Sequence, residues 1–313
     1  MQRGLVVKEQ SGFYWVEAED RSITVCRLRG RLKEEAQSAD IAAIGDYVQF
    51  GEVEPGVGAI EAVEPRRNSV ARAVRTEGLR GAGGPERQHV IIANADQAFF
   101  VFAAANPPPS TYAVDRFLVM GEKAEIAPIV IVINKIDLAD RAEIEARFAP
   151  YRKMGYELLM TSALQGIGID ELRERLTGRV SVFTGPSGVG KTSLLNRMQP
   201  NLGRAVKAVS ERNREGMHTT RDSELIRLDG GGYVADTPGI RTLTVWDVEP
   251  EELDGYYLDI ADYVGQCRFG DCTHRTEPGC AVRSAMGRGE IAEARHVSYV
   301  RLRAELEEAY ALS

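Results

Sequence analysis

The stretch Gly185-Pro186-Ser187-Gly188-Val189-Gly190-Lys191-Thr192 constrains everything else in the chain. Its spacing, G-x-x-x-x-G-K-T, is that of a phosphate-binding P-loop. The apolar run Val180-Ser181-Val182-Phe183 before it reads as a buried strand, and Ser193-Leu194-Leu195-Asn196-Arg197-Met198 after it reads as the opening of a helix. Glycines let the backbone wrap so that successive N–H groups point inward at an anion. The helix N-terminus adds partial positive charge. Lys191 is expected on the β- and γ-phosphates and the Thr192 hydroxyl on Mg²⁺, with Ser193 completing the phosphate-binding set. The plain alternative, a glycine-rich turn with an exposed lysine, does not account for the flanking strand and helix.

A chain of 313 residues has room for two or three domains. Its 43% hydrophobic and 27% charged content is that of an ordinary globular protein. No apolar run is long enough to span a membrane, and Met1-Gln2-Arg3-Gly4 lacks a signal-peptide core. A cytoplasmic protein without membrane partners is expected. The net charge of −7 argues against nonspecific nucleic-acid binding by the whole surface.

Residues 1–66 read as all-β, with five short strand-like runs separated by turn signals, suited to an OB-fold barrel. This segment is acidic, 8 Lys and Arg against 12 Asp and Glu. A nucleic-acid-binding barrel and a purely structural β-module are both compatible with it. Cys26, in mid-strand, reads as a buried thiol. Residues 66–90 change character: Arg66, Arg67, Arg72, Arg75, Arg80 and Arg87 surround Gly81-Ala82-Gly83-Gly84-Pro85, which predicts a flexible basic linker. It is either simply solvated or in contact with RNA phosphate. From residue 90 to about 178, strands alternate with helices, Val90–Asn94 being the first strand. This pattern predicts a doubly wound α/β sheet.

The apolar strand Ile129–Ile133 runs into Asn134-Lys135-Ile136-Asp137, an N-K-x-D motif at the strand end where such sheets bind ligands. The Asp137 carboxylate matches two donors of guanine, N1–H and the 2-amino group. Adenine would leave that carboxylate desolvated and unpaired. Asn134 is expected to bridge neighbouring loops, and the Lys135 stem to cover the base. Thr161-Ser162-Ala163 follows the next strand, and its Ala163 N–H is expected at guanine O6. Downstream, Asp236-Thr237-Pro238-Gly239 supplies a D-x-x-G element, Asp236 reaching Mg²⁺ and Gly239 the γ-phosphate. Between P-loop and D-x-x-G, residues 203–221 hold 5 Lys and Arg against 2 acids and include Thr219 and Thr220, the expected first switch. The base readers thus precede the P-loop, so the domain reads as circularly permuted.

Near the C-terminus stands Cys267-x₄-Cys272-x-His274-x₅-Cys280. Three thiolates and an imidazole form a closed tetrahedral set, typical of structural zinc. Free thiols beside a surface histidine, or a redox pair, are the alternatives. Residues 290–310 predict a charged amphipathic helix on which His296 reads as a surface residue.

These motifs together resemble the RsgA (YjeQ/YloQ) family of circularly permuted GTPases over nearly the whole chain. The resemblance implies an N-terminal all-β OB-fold barrel (1–66), a central α/β circularly permuted P-loop GTPase domain (67–247) and a mostly helical zinc-binding domain (248–313). It implies GTP hydrolysis to GDP and phosphate, stimulated by the small (30S) ribosomal subunit during its late maturation, with Mg²⁺ and one structural zinc as cofactors. Its 16S rRNA is the implied partner, and the protein is expected to be a monomer. A nucleotide-regulated RNA-binding factor with incidental turnover is the competing reading. In either case the D-x-x-G loop, leading into the zinc module, is placed to bias that module's orientation.

The residue after D-x-x-G is Ile240, which cannot orient an attacking water, and Arg241 has no acceptor. His218, just before Thr219-Thr220, is the better candidate: a neutral imidazole accepts from water. It is otherwise a polar loop residue.

Overall fold

The computed structural model describes residues 1–30, 32, 41–74, 87–106, 108–203, 223–235 and 248–311, with the backbone alone at 72–74, 87–88 and 223. The first five strands are β1 (Gln2–Gln10), β2 (Phe13–Ala18), β3 (Ile23–Leu28), β4 (Tyr47–Glu54) and β5 (Val57–Val63). β1 pairs antiparallel with both β2 and β4, β2 with β3 and β4 with β5, while β3 runs parallel to β5. These pairings close a five-stranded barrel of OB type. Alternate residues point inward, so Val6, Tyr14, Val16, Cys26, Val48, Phe50 and Ile60 fill the barrel. Burial pushes the Cys26 thiol up to about 11, leaving it an inert core residue.

Next come β6 (Ser69–Val74) and β7 (Arg87–Ala93), paired as an antiparallel ribbon. The sequence predicts a flexible linker over 66–90 and places Val90–Asn94 in the parallel sheet. Both expectations are corrected here. Val70, Val90, Ile91 and Ile92 are all buried, and that apolar pattern favours a ribbon over a solvated linker. Arg66 and Arg67 are also committed internally. Arg66 donates twice to the Asp46 carboxylate, at 2.8 Å each, and Arg67 donates to Asp96 at 2.7 Å. Arg75, Arg80 and the run 81–85 lie outside the described residues.

The central region runs β8 (Gln97–Ala103), α1 (Thr111–Lys123), β9 (Ile129–Asn134), α2 (Arg141–Lys153), β10 (Glu157–Met160), α3 (Ile169–Leu176), β11 (Val180–Thr184) and α4 (Lys191–Met198). It ends with β12 (Ser223–Glu224), β13 (Ile226–Arg227) and β14 (Tyr233–Ala235). The sheet order is β10-β9-β8-β11-β14-β13. All neighbours are parallel except β13 on β14. Every residue of β8, β9 and β11 is buried, as strands covered on both faces require. Phe100, Phe102, Ile131 and Ile133 pack on one face with Leu118 of α1 and Phe148 of α2. Phe99, Val101, Val130 and Val132 pack on the other with Leu172 of α3 and Leu194 of α4. Side-chain caps fix where helices start: Ser110 Oγ accepts from Ala113 N–H at 3.2 Å, and Asp140 Oδ1 from Ala142 N–H at 2.9 Å.

The C-terminal region holds α5 (Leu258–Ala261), α6 (Ala281–Gly287) and α7 (Glu293–Ala311). Its core joins Leu253, Tyr257, Ile260, Val282, Tyr299 and Leu302 to Val119 of α1. Among the described residues no helix is long and apolar enough to cross a membrane.

Candidate active site and metal centre

Parallel strands deliver their C-terminal ends to one edge of the sheet, and the predicted motifs meet there. The P-loop leaves β11, whose neighbour β8 lies between it and the base-reading strand β9. Its glycines are required by close approach. A Cβ on Gly185 would fall 2.1 Å from the Val101 carbonyl oxygen, and one on Gly190 2.4 Å from Asn134 Nδ2. Lys191, 7% exposed, donates from Nζ to the carbonyls of Gly185 and Pro186, both at 2.6 Å. Thr192 and Ser193 are exposed in the first turn of α4.

Asn134 ties three loops together. It is 1% exposed. Its Nδ2 donates to the Val189 carbonyl of the P-loop at 2.9 Å. Its Oδ1 accepts from Thr161 Oγ1 at 3.3 Å and from the Ala163 N–H at 3.2 Å. The Ala163 N–H, expected at a base oxygen, is therefore aimed into the same corner and engaged by Asn134. Lys135 adopts left-handed backbone, φ 62°, and its Nζ donates to the Gly188 carbonyl at 2.8 Å. Its side chain thus reaches across to the P-loop. Ser162 Oγ donates to Asp137 Oδ1 at 2.5 Å and accepts from the Gln165 N–H at 3.1 Å, which fixes one carboxylate oxygen. The structure thus brings together Asn134, Lys135, Asp137, Ser162, Ala163 and the P-loop. His218, Thr220, Asp236 and Gly239 lie outside the described residues, as do Ile240 and Arg241. Thr161, the first residue of the T-S-A motif, is fully buried and adds its hydroxyl to the Asn134 corner.

The second constellation is in the C-terminal region. The ligand atoms of Cys267, Cys272, His274 and Cys280 all lie within 4.8 Å of one another. Cys267 Sγ is 3.9 Å from Cys280 Sγ, and His274 Nδ1 is 3.5 Å from each of these sulfurs. Tetrahedral zinc with ordinary bond lengths sets S···S at about 3.8 Å and S···N at about 3.6 Å. The residues therefore fit a four-coordinate metal ion, and this group can hold one. The outer shell is built too. His274 Nε2 faces Asp254 Oδ2 at 3.3 Å, which directs Nδ1 to the sulfurs. Backbone N–H groups of Ala281 and Arg283 reach Cys267 and Cys280 sulfurs at 3.3 and 3.4 Å.

Three supporting residues here escaped sequence reading. Asp254 lies 20 positions from its partner histidine, with no local signal. Glu277 accepts from the N–H groups of Thr273, Arg275 and Thr276 at 2.8, 2.9 and 3.0 Å and from the Thr273 hydroxyl at 2.5 Å. Partial burial opposes its ionisation, but the Thr273 hydroxyl and the backbone donors outweigh it and hold the carboxyl at about 2. His296, expected at the surface, is 8% exposed, and its Nε2–H donates to the His274 carbonyl at 2.7 Å. The amphipathic reading of α7 failed at this position because the ligand loop covers that helical face.

A parallel sheet with its base-reading strands ahead of the P-loop strand in sequence, yet converging with it in space, defines a circularly permuted P-loop GTPase. Comparison with known proteins narrows the class. The profile of the RsgA GTPase family matches residues 63–246, and that of the RsgA N-terminal domain matches residues 3–60. The chain belongs to the RsgA GTPase family. It is similar to the small ribosomal subunit biogenesis GTPase RsgA of Moorella thermoacetica, 41% identical over 303 residues, covering 97% of each chain. It is 36% identical over 310 residues to the protein of the same name from Bacteroides fragilis, covering 98% of this chain and 97% of that one. Among solved structures, YjeQ from Thermotoga maritima matches at TM-score 0.78 and 37% identity, covering 97% of this chain and 98% of that one. YloQ, a circularly permuted GTPase, matches at TM-score 0.74 and 32% identity over 98% of this chain and 96% of that one.

Proposed function

We propose that this enzyme hydrolyses GTP to GDP and phosphate, that the small ribosomal subunit stimulates it, and that it acts in late maturation of that subunit. The observation that carries the guanine-nucleotide reading is the triple engagement of Asn134, which joins the P-loop, N-K-x-D and T-S-A loops into one corner. Asp137 reads the guanine donors, Lys135 covers the base, and Ala163 N–H and Ser162 complete the base site. Gly185, Pro186, Ser187, Gly188, Val189, Gly190, Lys191, Thr192 and Ser193 cradle the phosphates. Lys191 bears on the β- and γ-phosphates, Thr192 and Asp236 hold Mg²⁺, and Gly239 senses the γ-phosphate. His218 orients the attacking water and Thr220 completes the first switch. The metal held by Cys267, Cys272, His274 and Cys280 is zinc and structural, since four protein ligands leave no open position. The barrel and the basic segments engage 16S rRNA, and the protein works as a cytoplasmic monomer.

The test is turnover of GTP with and without purified small subunits. The reading requires GTP-specific hydrolysis that rises severalfold on subunit addition, is lost in Lys191→Ala, and loses its stimulation in His218→Ala. Equal ATP and GTP turnover, or indifference to subunits, would refute it.

A further inference from the structure

The segment 223–228 belongs to two sheets at once. Its first half, β12, lies antiparallel on barrel strand β1, Ser223 opposite Glu9 and Glu224 opposite Lys8. The Leu225 N–H donates to the Val7 carbonyl at 2.8 Å. Its second half, β13, lies antiparallel on β14, Ile226 opposite Val234 and Arg227 opposite Tyr233. Between the halves, Leu225 is 4% exposed and belongs to the buried core cluster that also includes Leu118 and Phe148. Long ion pairs flank the junction, Lys8 with Glu224 and Arg227 with Glu17, both at 3.8 Å. The barrel is therefore joined through backbone to the edge of the GTPase sheet. By sequence, this segment directly follows the stretch read as the first switch, and β14 directly precedes Asp236-Thr237-Pro238-Gly239.

The C-terminal module is held differently. Its buried polar link to the GTPase region runs through Arg295 to Asp115 of α1, while the Tyr257 hydroxyl meets Ser298 within the module itself. No contact of that set involves β12, β13 or β14.

We propose that barrel strand β1 is a positioning element for hydrolysis. Through β12 it holds the chain that follows the first switch, and the nucleotide state is felt in the barrel in return. This rests on the guanine-nucleotide reading above. Lys8 and Glu17 are positioning residues, acting through Glu224 and Arg227. A two-residue strand suits the task. So short a pairing, two residues on each strand, lies at the low-stability end from which moving elements are drawn. Coupling between two sites is reciprocal, so a nucleotide state that firms the β1–β12 pairing is itself favoured when that pairing is firm.

Hydrogen exchange of the full-length protein tests this, first with GDP and then with Mg²⁺ and a non-hydrolysable GTP analogue. Amides of Leu5–Gln10 and of 223–228 are expected to change exchange rate together, severalfold, between the two states. Amides of Leu253–Ile260 are expected to stay constant. Turnover separates positioning from folding. Lys8→Glu and Glu224→Lys should each lower kcat about threefold or more at unchanged KM. The double exchange should restore kcat to within about twofold, because it re-forms the pair. Identical exchange in both nucleotide states, or kcat indifferent to both single substitutions, overturns the proposal. If the unmodified protein binds neither nucleotide in a separate titration, the reading of the site fails first and the proposal falls with it.

Discussion

Asp115 of α1 and Arg295 of α7 form an ion pair sealed from solvent, with side chains 0% and 3% exposed. Arg295 also donates to both Asp259 oxygens, at 2.6 and 3.1 Å, and its guanidinium lies 4.5 Å from the Tyr257 ring centroid. Burial opposes the guanidinium charge, but Asp115 and Asp259 outweigh it and raise the pKa, so the charge persists. Tyr151 of α2 donates its hydroxyl to Asp115 Oδ1 at 2.8 Å. The C-terminal module is thus bolted to α1, and the Arg295 guanidinium lies 5.4 Å from the Tyr151 ring centroid of α2.

Breaking that bolt from one side leaves an uncompensated buried charge. Arg295→Ala is expected to cost about 3–5 kcal/mol, read as early release of the module in limited proteolysis. Replacing the buried set together, Arg295→Met with Asp115→Leu, Asp259→Leu and Tyr151→Phe, should recover most of the loss, because apolar groups of similar volume need no partner. Equal loss in the combined variant would show that packing, not charge, holds the module.

Asn134→Ala removes one donor to the P-loop and the acceptor of two groups on the T-S-A loop. A buried unmade hydrogen bond costs about 1–3 kcal/mol. The expected result is a ten- to hundredfold weaker affinity for guanine nucleotides, measured by titration, with the melting temperature lowered by a few degrees. Strand β9 ends in solid packing, so the fold should survive.

The parallel sheet was legible because buried strands carry apolar runs such as Ile129–Ile133, the first five residues of β9. The P-loop and N-K-x-D were legible because phosphate and guanine chemistry demand local patterns of fixed spacing. The ribbon β6–β7 was not, because the arginines and glycines between and within the two strands masked a short apolar alternation. Likewise His296 looked like any polar residue of a charged helix. Only the fold of the ligand loop, which sets the His274 carbonyl at 2.7 Å, makes it a buried donor. Asp254, Glu277 and the bridging of β12 are tertiary in the same sense.

Glu277 predicts a pH dependence. Its folded pKa lies below the ordinary 4.5, at about 2. A carboxyl lowered on folding contributes stability that is fully present above about 4.5 and is lost as pH falls toward 2. Screening by solvent at this partly exposed site limits it to about 1 kcal/mol. Glu277→Gln should therefore be less stable than the parent at pH 7, the gap closing as pH falls below 4.5. Comparing the two proteins at each pH cancels effects common to both, metal loss included. A gap that is constant with pH would assign Glu277 a steric role only.

One zinc per chain is expected by elemental analysis. Cys272→Ser should lower that content and loosen the loop from Cys267 to Cys280, since metal-binding energy here is folding energy. Zinc content unchanged in the variant, or absent from the parent, would exclude a structural zinc held by these four residues.

Asp137 carries the last prediction, on base selectivity. Its Oδ1 is engaged by Ser162 Oγ at 2.5 Å, and that hydroxyl is itself fixed by the Gln165 N–H. The carboxylate is therefore oriented before any base arrives. Two acceptors on a pre-set plane match the adjacent N1–H and 2-amino donors of guanine. Asp137→Asn turns one acceptor into a donor. Against GTP this opposes two donors and should cost several kcal/mol, a loss of at least about a hundredfold. Xanthine carries an acceptor where guanine carries the amino group, so the variant should prefer xanthosine triphosphate. The orientation supplied by Ser162 adds a second arm. Ser162→Ala should weaken both GTP and GDP by a similar, smaller factor without changing the order of preference among bases, because it frees the carboxylate without altering its charge. Titration of the parent and both variants with GTP, ATP and xanthosine triphosphate decides the matter. GTP affinity unaltered in Asp137→Asn would remove Asp137 from the base site.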